Sequence, residues 1–387
     1  MCRLRDTFMI LSYASFIIVA YVLLRFVVPL PCGLVGKLAL TVVLIGVSLK
    51  LYIYERVGGF LFAPDLPRPV ILALEWLYAA LLLLALLLLI RDAVALIFYL
   101  AGRAGLSVRL PFSPDVQRVG LALFALALSG FGVFQGLRVP DVHTVEVRIA
   151  GLPPQLGGFS LVQLSDLHIG PLLRKDWLQS VVLRTNALTP DVVVLTGDLV
   201  DGSPALLQRD MQPLAQLAAR HGVYGVTGNH EYFYGVRAWT AVFEKLGVDM
   251  LYNEHRTIDV QGAKLVLAGL PDPRAIRSGN TPPDLAKALH GAPSAVRVLL
   301  VHQPGAIATG AAVDLQLSGH THGGTMFFLK PAVASFNNGL VGGLYDTGKG
   351  KIYVSPGTGL WNGFACRIGV PSEITRIILR TGQDNVR

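Results

Sequence analysis

At 387 residues, 52% of them hydrophobic and 15% charged, the chain is too apolar for a wholly soluble protein, yet long enough for a soluble domain of about 150 to 250 residues beside a lipid-embedded region. Its net charge of +8 is scattered, with no run of basic residues and no basic stripe interleaved with aromatics, which argues against nucleic acid as a partner. Three cysteines, Cys2, Cys32 and Cys366, lack CxxC spacing, so they supply neither a thiolate zinc cluster nor a disulfide within the soluble part.

Four apolar stretches lead the chain: Phe8 to Leu30, Leu38 to Tyr54, Val70 to Ile90 and Val119 to Phe134. Each approaches the length of about 20 residues needed to cross a bilayer, which predicts an all-α transmembrane region of about four helices over residues 1–137. Recurrence of the apolar stretches argues against a cleaved signal peptide. Ala93 to Leu100 is too short to span and is expected in the interface. Arg25, Lys50 and Glu75 lie near predicted helix ends, where long side chains reach the headgroups, so they are read as snorkelling residues and not as a transport path. Arg3 and Arg5 favour a cytoplasmic start and, with four spans, a cytoplasmic soluble domain. The remaining loop charges nearly cancel, with Arg56, Arg68 and Arg138 on one side against Lys37, Arg91, Arg103, Arg109 and Arg118 on the other, and the side stays open.

Beyond Phe134 the pattern changes. TVEVRI (Thr144 to Ile149) alternates with period two, and short apolar runs then recur: FSLVQLS, DVVVLTG, VYGVTG, KLVLAGL, RVLLVH, LQLSG, KIYVS and EITRIILR. Leu173 to Leu188, Ala205 to Arg220 and Arg237 to Leu246 carry helical spacing between them. Strands alternating with helices predict an α/β domain over residues 143–387.

Polar residues follow the strands. FSLVQLS runs into Asp166 and His168, DVVVLTG into Asp198, VYGVTG into Asn229 and His230, RVLLV into His302, and LQLSG into His320 and His322. Ligands of open α/β sheets bind beyond the carboxyl ends of strands, so these segments are expected to converge. Five of the nine histidines lie there, and imidazole nitrogen mixed with carboxylate and amide oxygen suits Mn, Fe or Zn. Neighbouring glycines, among them Gly228 and Gly319, permit sharp turns and close approach.

In that order, the blocks SDLH, TGDLVDG, TGNHE, VHQP and SGHTHGG resemble the calcineurin-like metallophosphoesterase superfamily. The ending YVSPGTGLWNGFACRIGVPSEITRIIL is similar to a branch of membrane-associated bacterial phosphoesterases, from which the chain departs at Thr325 and Ser372. The resemblance implies a two-sheet sandwich flanked by helices and a binuclear centre of two divalent ions: Asp166, His168 and His322 on one metal, Asn229, His302 and His320 on the other, and Asp198 bridging. It also implies that His230 stays off the metals and serves the phosphoryl group or the leaving oxygen. The activity it implies is hydrolysis of a phosphate ester or pyrophosphate, with a lipid-linked substrate suggested by the apolar region and a bacterial inner membrane as the location. A nuclease, or a membrane sensor that keeps the fold without turnover, are the competing readings; the complete ligand set argues against the second.

Asp201 is either a partner of a ligating histidine or a helix cap, Glu231 a structural group, and Trp361 and Arg367 candidate substrate contacts. His143, His221, His255 and His290 have no motif context and are read as loop or surface residues.

Overall fold

The computed structural model describes residues 15–56, 63–106, 111–305 and 313–382. The stretch 8–14 of the first predicted span, and Cys2, Arg3, Arg5 and Arg109, lie outside the described residues. Two units are distinguished: Met1–Phe134 with Gly363–Cys366, and Gln135–Asn362 with Arg367–Arg387.

The first unit is helical: α1 (Ser15–Val27), α2 (Leu34–Ser48), α3 (Lys50–Arg56), α4 (Arg68–Arg103) and α5 (Pro114–Leu137). Among the described residues only α4 and α5 are each long and apolar enough to cross a membrane, and α2 with α3 makes a third span if the bent pair counts as one. Four full spans are therefore not found among the described residues. α1 stops ahead of Pro29 and Pro31, which cannot continue the ladder. α2 and α3 diverge by 55° at Leu49, where the Ser48 hydroxyl bonds back to the Ile45 carbonyl at 2.7 Å and weakens the turn.

Distant charges pair within this unit, and one sequence expectation fails for that reason. Ala93 to Leu100 continues the 36-residue α4. Asp92 is held by Tyr21 at 2.9 Å, Arg25 at 2.7 Å and Arg91 at 2.8 Å, so the charges do not interrupt the helix. Lys50 and Glu75 do not snorkel: their side chains are 0% and 1% exposed and meet at 3.0 Å.

The second unit carries two six-stranded sheets. The first has β1 (Asp141–Ile149), β2 (Ser160–Leu164), β3 (Val192–Thr196), β4 (Val223–Val226), β5 (Asp249–Met250) and β12 (Glu373–Thr381), ordered β1-β12-β2-β3-β4-β5. β12 runs parallel to β1 and antiparallel to β2, and β2 to β5 are parallel. The second has β6 (Glu254–Val260), β7 (Ala263–Gly269), β8 (Val296–Leu300), β9 (Leu315–Ser318), β10 (Gly343–Asp346) and β11 (Lys351–Val354), ordered β10-β11-β9-β8-β7-β6, with antiparallel edges at β10 and β6.

Period-two burial builds the layers. Val192 and Val194 of β3 face Leu265 and Leu267 of β7, Val298 and Leu300 of β8, and Leu315 and Leu317 of β9 in one core between the sheets. The alternate residues, Val193 and Leu195, face outward under α6 (Lys175–Ala187) and α8 (Val236–Lys245), meeting Leu178, Val181, Trp239 and Phe243. Burial on both faces explains why these strands read as continuous apolar runs. The helix expected over Ala205 to Arg220 is broken into short turns at Pro204–Leu207 and Gln212–Gln216; Pro213 has no N–H to give the ladder.

Candidate metal centre

Five strand ends of the second unit meet at one place. Asp166 and His168 follow β2, Asp198 follows β3, Asn229 and His230 open the short α7 (Asn229–Tyr234) after β4, His302 follows β8, and His320 and His322 follow β9. Their ligand atoms fall into overlapping groups able to hold a cation: Asp166, His168 and His322; His168, Asp198 and His230; and Asp198, His302 and His320. Asp198 belongs to two of these groups, and its Oδ2 lies 3.1 Å from His302 Nε2 and 3.9 Å from His168 Nε2. His143, His221, His255 and His290 belong to none; His255 donates Nδ1–H to the Ala288 carbonyl, 2.7 Å away.

The backbone is bent sharply to bring these atoms in. Asp166, His168, Asp198, His320 and His322 have φ of 54°, 46°, 53°, 73° and 50°, in the left-handed region that costs residues with a Cβ about 1–3 kcal/mol each when strained. Glycine supplies the clearance. A Cβ at Gly228 would sit 2.2 Å from Asp198 Oδ1, and one at Gly319 would sit 2.0 Å from Ser165 Oγ and 2.2 Å from Asp166 Oδ2.

The donor set fits divalent cations. His302 donates Nδ1–H to the Thr196 carbonyl at 2.8 Å, so its Nε2 lone pair turns inward, where it lies 3.2 Å from His320 Nδ1. His168 donates Nδ1–H to Asp201 at 3.0 Å and presents Nε2, 3.2 Å from His322 Nε2. Two nitrogens facing each other at that distance need a proton or a cation between them. Asn229 Oδ1 is buried without a hydrogen-bond partner, and an acceptor left so is costly unless a cation takes it. Among the described residues no cysteine joins these groups.

Electrostatics separate the histidines. Burial works to lower His302, but Asp198 and Asp166 hold it well above its ordinary value; burial likewise opposes the charge on His230, which Asp198 and Asp201 nonetheless raise to about 9. His320 is lowered to about 3 by burial and by His302, and His322 is held well below its ordinary value by burial and by His168. Burial would raise Asp198, yet the surrounding histidines hold it well below the usual carboxylate range, whereas burial pushes Asp166 up. A cation entering this set takes the place of protons, so its binding releases them.

Around the ligand atoms a second set of groups holds them in place. Asp201 caps no helix: it is buried, and its Oδ1 accepts from both His168 and His230, the latter at 2.6 Å. Glu231 is structural, accepting the backbone N–H groups of Asp198 at 3.1 Å, Leu199 at 2.7 Å and Gly228 at 2.7 Å, which fixes the Asp198 turn. Arg367, a candidate substrate contact from the sequence, is turned toward the main chain. It is 1% exposed and donates to the carbonyls of Pro356, Gly359, His322 and Val370, so it stitches the C-terminal loop to the His322 turn. Trp361 is half-buried in the same loop. Sequence reasoning misses Asn362, whose amide donates to Asp201 Oδ2 at 3.0 Å; its place in the Trp361–Asn362–Gly363 run beside two residues already singled out was the available signal.

The calcineurin-like phosphoesterase family model matches residues 159–324. A transmembrane protein with metallophosphoesterase domain from Bos taurus is 36% identical over 304 residues, covering 75% of this chain and 68% of its own. An uncharacterised metallophosphoesterase from Campylobacter jejuni is 33% identical over 298 residues, covering 75% of this chain and 76% of its own, and one from Bacillus subtilis is 31% identical over 275 residues, covering 67% and 94%. Every residue of the convergent cluster lies inside the family match, and the relatives extend the likeness well outside it, so the chain belongs to the calcineurin-like metallophosphoesterases and is a metal-dependent phosphoesterase.

Proposed function

We propose that the chain is a membrane-anchored hydrolase of phosphate esters or pyrophosphates with a binuclear centre, in which Asp166, His168 and His322 hold one divalent ion, Asn229, His302 and His320 the other, and Asp198 bridges them. The observation that carries this reading is that two cation-sized groups, Asp166 with His168 and His322, and Asp198 with His302 and His320, are joined by a third that contains both His168 and Asp198, beside a buried and unpartnered Asn229 Oδ1. When bound, two such ions lower the pKa of water and neutralise charge on phosphoryl oxygens. A shared carboxylate offsets their mutual repulsion, which is the role left to Asp198 by its central position. The soluble domain is assigned to residues 143–387 and the anchor to residues 1–137, supported by the length and composition of α4 and α5.

His230 stays off the ions and hands a proton to the leaving oxygen. Its Nδ1 is engaged by Asp201 at 2.6 Å, which fixes the ring and leaves Nε2, 3.8 Å from Asp198 Oδ2, as the atom that faces the centre. His230→Ala is expected to keep two Mn2+ per chain and to lose about 10²- to 10⁴-fold in kcat, whereas His302→Ala loses an ion. Metal analysis beside turnover of bis-p-nitrophenyl phosphate tests this, and departure of an ion from His230→Ala would make it a ligand instead.

A lipid-linked substrate is the finer reading. Its support is apolar surface next to the ligand turn: Phe327, just before α9 (Lys330–Phe336), and Phe336, at its end, are 59% and 87% exposed. Turnover of phospholipids and lipid-linked pyrophosphates in mixed micelles, compared with water-soluble esters of the same headgroup, tests it; equal kcat/KM for both would sink it.

A further inference from the structure

Four residues of the C-terminal loop, Gly363–Cys366, belong to the helical unit, while Asn362 before them and Arg367 after them belong to the unit that carries the metal centre. Within the helical unit the loop is gripped by the buried charge pair. Lys50, at the start of α3, donates to the Gly363 carbonyl at 2.9 Å as well as to Glu75 at 3.0 Å. Glu75, in α4, accepts the Ala365 N–H on its other oxygen at 2.9 Å and the Tyr54 hydroxyl at 2.9 Å. Lys50 Nζ also lies 4.4 Å from the centre of the Tyr78 ring. An ion pair buried among apolar helices is a poor way to hold helices together, because well-packed hydrophobic residues of similar volume do that as well or better. What apolar residues cannot do is bind the peptide groups of a loop.

Both ends of the gripped loop are tied to groups that position metal-ligand candidates. Asn362 donates to Asp201 Oδ2 at 3.0 Å and accepts the Leu172 N–H at 3.2 Å, and Asp201 in turn holds His168 and His230. Arg367 donates to the His322 carbonyl at 3.2 Å. We propose that Lys50 and Glu75 are positioning residues of the metal centre: by fixing the peptide groups of Gly363 and Ala365 they set Asn362 and Arg367, and through them Asp201, His168 and His322. The inference rests on the ligand set proposed above, and it assigns to the helices a part in catalysis beyond anchoring.

The full-length chain in nanodiscs provides the test, with Mn2+ binding by calorimetry, thermal unfolding, and separate kcat and KM on bis-p-nitrophenyl phosphate. The apolar pair Lys50→Met/Glu75→Leu removes both hydrogen bonds from the charge pair to the loop while leaving a packed interior, and the amide pair Lys50→Gln/Glu75→Gln removes the charges but keeps a donor for Gly363 and an acceptor for Ala365. The apolar pair is expected to fold, to bind Mn2+ about tenfold or more weakly at one of the two sites, and to lose a similar factor in kcat with little change in KM. The amide pair is expected to bind within about threefold of the native chain. Native Mn2+ affinity and kcat in a folded apolar pair overturn the proposal. If the apolar pair does not fold, the amide pair decides, and a tenfold loss of affinity there overturns it. Asp198→Asn, run alongside, checks the ligand set separately: loss of Mn2+ in that variant with native binding in the apolar pair removes the positioning role alone, whereas native binding in Asp198→Asn removes the ligand set on which it rests.

Discussion

Asp201→Asn is the change whose outcome the structure constrains most closely. One carboxylate oxygen accepts from two imidazole N–H groups, at 3.0 Å from His168 and 2.6 Å from His230, and the other accepts from the Asn362 amide at 3.0 Å. An amide of the same shape has one acceptor and one donor, so it fails in either orientation. With its oxygen toward the histidines, its NH2 meets the NH2 of Asn362; flipped, its NH2 meets two N–H groups. Hydrogen bonds to an ionised partner contribute about 1.5–3 kcal/mol each, and loss of one from a group that orients a ligand corresponds to about ten- to hundredfold in metal affinity. The variant is expected to weaken one Mn2+ site by that factor and to lower kcat further, because His230 is freed together with His168. The second change Asn362→Asp supplies a carboxylate where the amide of Asp201→Asn now needs an acceptor, so the double variant regains part of the affinity. Calorimetric titration of the metal-stripped single and double variants reads both effects. Native affinity and kcat in the single variant, or no recovery in the double, would refute the view that Asp201 orients the two rings.

Three further outcomes follow from the same geometry. Gly319→Ala forces a methyl to within 2.2 Å of Asp166 Oδ2, so Asp166 must move and the variant should retain one Mn2+ where the native chain is expected to retain two, as counted by metal analysis after desalting. Removal of metal by chelation should lower stability by about 4 kcal/mol for each ion that had been present at a thousandfold its Kd, read as a fall in the unfolding midpoint that readdition reverses. Burial pushes the Asp272 carboxyl up to about 6 from 3.8, so ionising it disfavours the folded state as pH rises through that window. Asp272→Asn should therefore gain stability over the native chain by about 1 kcal/mol more at about pH 7.5 than at about pH 5, measured by denaturant unfolding, since the Gln303 amide that now donates to Asp272 at 2.9 Å can flip to accept.

Much of the second unit was legible because burial on both faces leaves an unmistakable run of apolar residues. β2, β3, β4, β7, β8, β9, β11 and β12 all carry one, and the polar residues that follow five of them are the centre. The strands that escape notice are those without such a run: β5 has two residues, β6 (Glu254–Val260) alternates charged and polar residues at a sheet edge, and β10 (Gly343–Asp346) is a short, half-exposed edge. Charged residues were misread wherever the partner is remote. Lys50 meets Glu75, 25 positions away, and Gly363, 313 positions away, while Arg367 is satisfied by main-chain carbonyls that leave no mark in a sequence. Without a visible partner a long basic side chain defaults to the surface or to a ligand, whereas Lys50 is buried on Glu75 and Arg367 is buried against the main chain.

The backbone at the centre is the part that no residue pattern discloses, and it bears on why so many interactions are spent around it. Five candidate ligands occupy left-handed conformations, each unfavourable by about 1–3 kcal/mol, a sum comparable with the whole stability of an ordinary domain. Such turns persist only where their surroundings over-determine them. Glu231 fixes the Asp198 turn through three backbone N–H groups, the Asp166 carboxylate accepts the His320 N–H at 3.1 Å, and Arg367 ties down the His322 carbonyl. Each support crosses from one strand end to another, so the turns hold one another, and cations seated among them would complete a frame that is already closed on its outer side. The grip of Lys50 and Glu75 on Gly363 and Ala365 extends that frame by one further link, because Asn362 and Arg367 are the next residues along the chain on either side of the gripped segment.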